Sequence, residues 1–446
     1  MNRVKLPSIS PSYSVAIRDE ALSNVDWWQQ VQAKYHEIES TPHQLWLLFA
    51  EDSFDFSCCL FALLLAKRTP VLPPNQQIDT LLHFVDKVDA VCADHGVGQD
   101  LPDVVTGYRE FLNESASKGM LQDIDIKDDQ ELHLFTSGST GQPKKVIKKW
   151  RQLFAEVNTL EQYFGSHVEQ SLICTSVSHQ HIYGLLFTVL WPLLTQRPWL
   201  VKLVTYPEDL FSAAQQAISF VSSPSFLEHL SVQTQLLNRK PQFCVSSGGP
   251  LKPTAASALS LQWKYAPTEV FGSSETGGVA YRNQLSQQYW KVFNGINWRV
   301  SPSKALQICS PYLEDSKAWY QMDDAVSIEA DGFNLVGRLD RVVKIAEKRV
   351  CLDQMTSELA DHPWVAHCDL LTLSSSRDYI GAVVVLNELG RQQIENGKFF
   401  LNKTFRRYLS KQFEAVTLPR KWRYVDALLV NSQGKRQIPK MRLLFT

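Results

Sequence analysis

The stretch Leu132–Val146, LHLFTSGSTGQPKKV, carries the most specific signal in the sequence. Its first residues, Leu132–Phe135, predict a short strand, and a run of small and turn-forming residues follows at once. Gly138 and Gly141 allow positive φ and let the backbone approach a ligand closely. Hydroxyl groups that can donate to anionic oxygens come from Thr136, Ser137, Ser139 and Thr140. With Lys144 adding positive charge, the stretch predicts a phosphate-binding loop, although a polar surface hairpin is the alternative.

The spacing within this loop excludes the Walker type of nucleotide site. A Walker loop, GxxxxGK[ST], would require a glycine where this chain has Pro143. No GxGxxG, HExxH or GxSxG pattern occurs in the sequence, which argues against dinucleotide-binding, metalloprotease and serine-hydrolase sites. A phosphate bound here would therefore be held by a loop of another class.

Short apolar segments alternate with helical ones on both sides of the loop. Leu45–Phe49 predicts a strand, a helix rich in leucine and alanine follows, and a second strand ends before Pro73. Further predicted elements are strands at Leu172–Ser176, Leu200–Val204 and Phe243–Ser247 and a helix at Leu185–Leu194. This alternation predicts an α/β fold with a mainly parallel sheet flanked by helices.

The pattern changes after Gly337. Arg341–Val350 is basic and strand-rich, Asp378–Leu386 contains an apolar strand, and Gln392–Phe413 has the periodicity of an amphipathic helix. A chain of 446 residues is long enough for about two or three folding units. We therefore expect a large domain of parallel-sheet α/β subdomains at 1–339, and a small α+β domain at 340–446 joined to it by a hinge.

Composition excludes several classes of protein. The 45 lysines and arginines balance 46 acidic residues, so the overall charge does not indicate a nucleic-acid partner. The eight cysteines show neither a CxxC pair nor the histidine spacing of a zinc site, and we expect reduced core residues. Met1–Ser14 lacks the apolar region of a secretory signal, and the longest apolar runs are shorter than the roughly 18 to 20 residues of a membrane helix. We expect a cytoplasmic protein without a membrane span.

Six further blocks follow the loop in the sequence. They are Ser178–Gly184 (SHQHIYG), Ser246–Leu251 (SSGGPL), Phe271–Gly277 (FGSSETG), Trp319–Asp324 (WYQMDD), Gly337–Arg341 (GRLDR) and Asn431–Lys435 (NSQGK). Together with the loop, and in this order, they resemble the motifs of the adenylate-forming superfamily. That superfamily includes acyl-CoA synthetases, firefly luciferase and the adenylation domains of peptide synthetases.

The resemblance implies an ATP-dependent ligase that joins a carboxylic acid to AMP and then passes the acyl group to a thiol. The thiol would belong to CoA or to an acyl carrier protein, in fatty-acid or polyketide-like biosynthesis, and ATP and Mg²⁺ would be required. The ATP- and AMP-binding residues implied by the matched blocks are Thr136, Ser137, Gly138, Ser139, Thr140, Gly141, Lys144, Ser247, Gly248, Gly249, Phe271, Gly272, Ser273, Ser274, Asp324 and Arg338.

The resemblance also implies catalytic roles. Glu275 would hold magnesium together with Thr136, Lys435 would bridge the carboxylate, the α-phosphate and the ribose, and His181 would line the acid pocket. Asp340 would be the hinge about which the small domain turns between the two half-reactions. Taken singly, Glu275 could be a first-turn helix residue and Lys435 a solvated loop lysine, with Lys440 as its rival, and only the block order favours function.

The acceptor and the substrate are less well defined. Glu347 stands where relatives have a glycine beside the pantetheine path, and with the basic residues around Lys348 and Arg407 it favours a carrier protein over free CoA. The absence of an acidic residue placed for an α-ammonium favours aromatic and medium-chain acids over amino acids. Alternatives are a non-catalytic nucleotide- or acyl-binding homologue, an adenylate former without a thiol step, and a kinase.

Overall fold

The structure of the chain is a computed structural model. It describes residues 13–74, 78–93, 108–110, 126–137, 143–233, 237, 239–345, 348–375, 378–430 and 436–446. The chain divides into two compact units. Among the described residues, the first unit holds those within Met1–Ser137, Pro143–Asn297 and Cys309–Ala318, and the second holds Trp298–Ile308 and those within Trp319–Thr446.

The first unit contains the predicted α/β alternation. Its strands are β1 Ser14–Ile17, β2 Ala21–Ser23, β3 Leu45–Leu48, β4 Thr69–Leu72, β5 Ala90–Ala93, β6 Tyr108–Glu110, β7 Glu131–Ser137, β8 Pro143–Lys149, β9 Leu172–Thr175, β10 Trp199–Leu200, β11 Ile218–Ser222, β12 Phe243–Ser246, β13 Thr268–Ser273, β14 Gly277–Asn283 and β15 Gln287–Val292. Its helices are α1 Asn24–Glu39, α2 Ser53–Leu65, α3 Ile78–Val85, α4 Trp150–Phe164, α5 Ile182–Gly184, α6 Trp191–Leu194, α7 Pro207–Ala213, α8 Pro224–Ser231 and α9 Pro253–Trp263. The α/β class predicted from the sequence is confirmed.

One sheet of this unit has the order β6-β5-β3-β4-β7-β8. Its first five strands are parallel, and β7 then pairs antiparallel with β8 to form a hairpin. Asp52 caps the start of helix α2, and its carboxylate accepts hydrogen bonds from the amides of Phe54 and Asp55 at 2.9 Å. Eleven of its 13 residues are buried, which explains why the segment is apolar on all sides.

A second run of strands has the order β15-β14-β13-β12-β11-β9-β10-β1-β2. Within it β13, β12, β11 and β9 are parallel neighbours, so their carboxyl ends lie at one edge. The apolar side chains of these strands pack against α8 and α9, with Phe220, Leu227, Leu259 and Trp263 in the core. In open α/β sheets this edge is where ligands bind, and the blocks beginning at Ser178, Ser246 and Phe271 lie at or next to it.

The second unit consists of antiparallel strands and a smaller α+β part. Its strands are β16 Asn297–Val300, β17 Ala305–Cys309, β18 Tyr320–Glu329, β19 Gly332–Arg338, β20 Val342–Ile345, β21 Lys348–Cys351, β22 Val365–Ser374, β23 Asp378–Leu386 and β24 Lys421–Tyr424. Its helices are α10 Leu352–Ala360, α11 Glu388–Gln392, α12 Lys398–Leu409 and α13 Ile438–Leu443. The sheet β22-β23-β24 packs on α10 and α12 around Met355, Leu401, Phe405 and Val384.

Arginine and aspartate side chains link distant segments of the second unit. Arg341 donates to Asp353 at 3.0 Å and to Asp369 at 2.9 Å. Arg436 forms ion pairs with the same two carboxylates, at 2.9 Å and 3.1 Å. Because the Asp369 side chain is only 1% exposed, its negative charge depends on these two guanidinium groups.

Several predicted elements differ from the structure. Leu185–Leu190 is a π-helical turn rather than part of one regular helix, and β10 ends at Leu200, so residues 201–204 are not a strand. The predicted helix at Gln392–Phe413 is interrupted by Gly397, whose φ is +85°, so α12 begins only at Lys398. No helix in the described part of the chain is both long and apolar enough to cross a bilayer.

Candidate active site

An ion pair joins the phosphate-loop hairpin to the block that contains Glu275. The antiparallel register of β7 and β8 places Thr136 opposite Lys144. Lys144 Nζ lies 2.5 Å from Glu275 Oε1, with the two side chains 60% and 26% exposed. Three residues predicted to bind ATP and magnesium, two of them in the hairpin and one far along the chain, are thus brought together within the first unit.

Glu275 lies in a tight turn between β13 and β14. The hydroxyls of Ser273 and Thr276 are 3.0 Å apart, and the Ser273 amide donates to the Thr276 hydroxyl at 3.1 Å. Gly277 has a φ of +68°, which favours glycine, and a side chain on Gly272 would run into the Gly277 carbonyl. These contacts fix the backbone of the turn while the Glu275 carboxylate projects from it.

The Glu275 carboxylate is suited to a hard cation. Partial burial raises its pKa, but the hydrogen bond and positive charge of Lys144 outweigh that effect, and the net pKa is lowered. The carboxylate is therefore ionised at neutral pH and already has a cationic group against it. A magnesium ion bound to phosphates typically uses one or two carboxylates and completes its shell with water, so Glu275 with the hydroxyl of Thr136 fits Mg²⁺.

The Gly-rich turn Ser247–Gly249 follows β12 directly. The Ser247 hydroxyl donates to the Val270 carbonyl at 2.7 Å, which ties the turn to β13, and Gly248 has a φ of +90°. Glu269, only 1% exposed, accepts from the amide of Leu251 at 3.0 Å and forms an ion pair with Arg282. A buried carboxylate therefore holds the chain just after the turn in place.

The block Ser178–Gly184 follows β9 at the same edge. His179 Nε2 donates to the Ala50 carbonyl at 2.8 Å, and Gln180 donates to the same oxygen at 3.2 Å. Burial lowers the pKa of His179 to about 4, so its ring is neutral at physiological pH. His181, partly exposed, is the residue before helix α5. Of the two histidines, His179 is thus structural, and His181 is the one that retains access to solvent.

Tyr183 also belongs to this block and connects it to the neighbouring strands. Its hydroxyl lies 3.0 Å from the carbonyl oxygen of Ser222 and 3.1 Å from that of Val245, at the ends of β11 and β12. One phenol therefore links the ends of β11 and β12 to the block that follows β9.

Asp324 and Arg338 belong to the second unit. The antiparallel register of β18 and β19 places them directly opposite each other. Arg338 forms an ion pair with Asp323 at 3.3 Å, and its amide donates to Asp353 at the same distance. The strand pairing thus brings these two predicted nucleotide-binding residues together within the second unit.

Other predicted site residues remain predictions. Gly138, Ser139, Thr140, Gly141, Lys435 and Glu347 lie outside the described residues. Ser137 is the last residue of β7, Phe271, Gly272 and Ser273 end β13, and Ser274 lies in the turn before Glu275. Asp340 lies in the short helical turn Leu339–Arg341, and its role as a hinge is untested.

Sequence reasoning missed two residues behind the Glu275 turn. Lys148 on β8 is 2% exposed and Glu156 on α4 is 4% exposed. The sequence contains a signal for Lys148. Its spacing from Lys144 places both side chains on one face of a strand, and a lysine is unusual at a buried strand position.

The chain is similar in sequence to known enzymes. A family model described as AMP-binding enzyme matches residues 112–301. A 4-coumarate--CoA ligase of Rhodobacter capsulatus is 26% identical over 303 residues, which cover 67% of this chain and 73% of that protein. The peroxisomal OPC-8:0-CoA ligase 1 of Arabidopsis thaliana is 24% identical over 374 residues, covering 73% of this chain and 66% of that protein.

Solved structures share the fold over nearly the whole chain. ATP-bound MatB from Rhodopseudomonas palustris superposes with a TM-score of 0.83 at 16% identity, covering 98% of this chain and 97% of that one. The O-succinylbenzoate coenzyme A synthetase of Bacillus subtilis, in complex with AMP, gives 0.81 at 14% identity and covers 97% and 96%. The matched family model thus identifies an AMP-binding enzyme domain at residues 112–301, and the chain is similar to CoA ligases in sequence and to these solved structures in fold.

Proposed function

We propose that the chain is an AMP-forming acid–thiol ligase. In the first half-reaction a carboxylate oxygen of the acid attacks the α-phosphorus of ATP, and the bond to pyrophosphate breaks. In the second, a thiol sulfur attacks the carbonyl carbon of the adenylate, the thiol gives up its proton, and AMP leaves. Two anions meet in the first half-reaction, so the site must supply positive charge and alignment rather than a covalent nucleophile.

The contact between Lys144 and Glu275 supports this proposal most directly. The Lys144 ammonium is 60% exposed, so it can exchange the carboxylate for phosphate oxygens without losing contact with solvent. Glu275, ionised and held by its turn, would then be available to a magnesium ion that travels with the phosphates. Magnesium supplies shielding of the phosphate charge, while Lys144 adds a fixed positive charge on the protein side.

The remaining roles are proposed on the same basis. Thr136 and the Ser247–Gly249 turn would bind phosphate and nucleotide, and His181 would line the acid pocket. The carboxylate of Asp324 would accept the ribose hydroxyls, with Arg338 beside it. Lys435 would bridge the reacting carboxylate and the α-phosphate in the first half-reaction, and a turn at Asp340 would withdraw it for the second.

CoA is the thiol acceptor that we propose to test first. The two relatives from Rhodobacter capsulatus and Arabidopsis thaliana are CoA ligases by name. The basic surface that had favoured a carrier protein is partly used within the fold, because Lys348 forms an ion pair with Glu414 at 3.2 Å and Arg406 donates to the carbonyls of Leu418 and Pro419. Arg407 remains exposed, so a carrier protein belongs in the same experiment.

A screen for acid-dependent exchange of labelled pyrophosphate into ATP tests the first half-reaction. The acids should include 4-coumarate, O-succinylbenzoate and medium-chain fatty acids, and product analysis should follow with CoA or a carrier protein present. We expect AMP, pyrophosphate and a thioester. Formation of ADP would show a kinase, exchange without thioester would show an adenylate former, and binding without either would show a non-catalytic homologue.

The variant Glu275→Gln tests the site within this function. It keeps the size of the side chain but removes the negative charge, so the exchange rate should fall and the Mg²⁺ concentration for half-maximal rate should rise. An unchanged Mg²⁺ dependence would contradict the assignment of Glu275 as the metal ligand.

A further inference from the structure

Two lysines on one face of β8 contact the same residue. Side chains spaced by an even number of residues lie on one side of a strand, as Lys144 and Lys148 do. Lys144 reaches the Glu275 carboxylate at 2.5 Å, and Lys148 Nζ donates to the main-chain carbonyl of Glu275 at 2.6 Å. The proposed metal ligand is therefore held through its side chain by an exposed lysine and through its backbone by a buried one.

The ammonium of Lys148 is enclosed by the first unit. The residue is only 2% exposed, and its Nζ also donates to the carbonyl of Tyr312 at 3.1 Å. The Tyr312 carbonyl accepts a second hydrogen bond from Gln152 at 2.8 Å. A buried ammonium is costly unless its charge is compensated, and here Glu156 interacts with it electrostatically.

Glu156 holds the other end of the same turn. Its carboxylate accepts from the amide of Gly278 at 2.6 Å, and it lies so close to Gly277 that a side chain there would collide with it. The requirement for glycine at 277 thus comes from the buried carboxylate as well as from the positive φ. Lys148 and Glu156 together hold the backbone on both sides of Thr276, at the Glu275 carbonyl and at the Gly278 amide.

We propose that Lys148, with Glu156 as its counter-charge, is a positioning residue for Glu275. By holding the Glu275 carbonyl and the Gly278 amide from inside the fold, the pair keeps the Glu275 carboxylate directed at its cation before the nucleotide binds. Preorganised groups of this kind cost no rearrangement during the reaction, which is why their supporting contacts affect rate as well as stability. The inference rests on the proposed function.

The test uses the double variant Lys148→Met/Glu156→Gln. Lys148→Met alone leaves a buried carboxylate without its counter-charge and could unfold the protein, whereas the double variant removes both charges and keeps an amide oxygen for Gly278. Lys149→Met is the matched control, because Lys149 lies on the other face of β8 and pairs with the exposed Glu314 at 2.6 Å.

Relative to the control, we expect the double variant to need about 10- to 100-fold more Mg²⁺ for half-maximal pyrophosphate exchange, the range for losing one charged hydrogen bond. In a Glu275→Gln background the same double substitution should cause little further loss, since the group that it positions is already gone. Wild-type Mg²⁺ dependence in the double variant, or losses that simply add to those of Glu275→Gln, would overturn the proposal.

Hydrogen exchange of the protein without ATP supplies a readout that does not depend on catalysis. A peptide spanning Ser273–Val279 should exchange faster in the double variant than in Lys149→Met, while peptides from the second unit stay unchanged. Unaltered protection of this peptide would refute the positioning role. If the wild-type protein instead showed no acid-dependent exchange of pyrophosphate, the proposed function would fail while the structural part of this inference could still be measured.

Discussion

Replacing Lys144 by alanine should separate activity from stability. The substitution removes the ammonium that contacts Glu275 at 2.5 Å and leaves that carboxylate ionised beside β8. Because Lys144 is 60% exposed, water replaces the lost contact in the free enzyme. In the first half-reaction, by contrast, an added negative charge develops on the phosphates, and no solvent cation is held in the same position.

The two effects differ in size. An exposed ion pair contributes at most about 1 kcal/mol to the free energy of unfolding, which for a protein of this length lowers Tm by no more than about 4 °C. Removing one preorganised positive charge from a transition state typically costs about 100- to 1000-fold in rate, equivalent to about 2.7–4 kcal/mol. The loss of adenylation should therefore far exceed the loss of stability.

The assay is acid-dependent pyrophosphate exchange, measured alongside thermal unfolding. Lys145→Ala is the matched control, because Lys145 is the adjacent exposed lysine on the opposite face of β8. It should retain exchange close to the wild-type rate. The proposed role of Lys144 is refuted if Lys144→Ala exchanges pyrophosphate as fast as Lys145→Ala. It is also refuted if the Tm of Lys144→Ala falls so far that unfolding explains the lost activity.

Three further outcomes are expected. Lys435→Ala should bind ATP with wild-type affinity but form adenylate about 100- to 1000-fold more slowly, and equal exchange rates would remove its catalytic role. Asp369→Asn should lower the free energy of unfolding in urea by about 1.5–3 kcal/mol, because Arg341 and Arg436 lose their charged contacts with Asp369 but keep those with Asp353, whereas the exposed Asp378→Asn should have little effect. His179 has a pKa of about 4 when folded and about 6.5 when unfolded, so it stabilises the fold above pH 6.5 and this stability is lost as the pH falls towards 4. The loss should be about 3 kcal/mol. In His179→Gln, which can still donate to Ala50, the free energy of unfolding in urea should differ less between pH 7 and pH 4.5 than in the wild-type protein. An equal difference in both proteins would contradict the role given to His179.

Local patterns predicted much of the fold. Apolar segments such as Leu45–Phe49 and Leu172–Ser176 are strands within one residue of the predicted ends, because a buried parallel strand must be apolar on both faces. Predictions failed where local signals were weak or overridden. The amphipathic pattern at Gln392–Phe413 continues through Gly397, but that glycine adopts a positive φ, and α12 begins only after it.

The sequence by itself determined the α/β class and the strand before Gly138, because apolar and turn-forming patterns act over a few residues. The order of its motifs predicted Lys144 and Glu275 as site residues. Only the tertiary structure decided which of these groups meet. The β7–β8 register turns Lys144 and Lys148 to one face, and the fold brings the Glu275 turn against that face from far along the chain. The role of a buried charge such as Lys148 depends on its partners, because the free-energy cost of burying the ammonium is offset by carbonyls and a carboxylate. These groups lie more than a hundred residues away in the sequence or on another element.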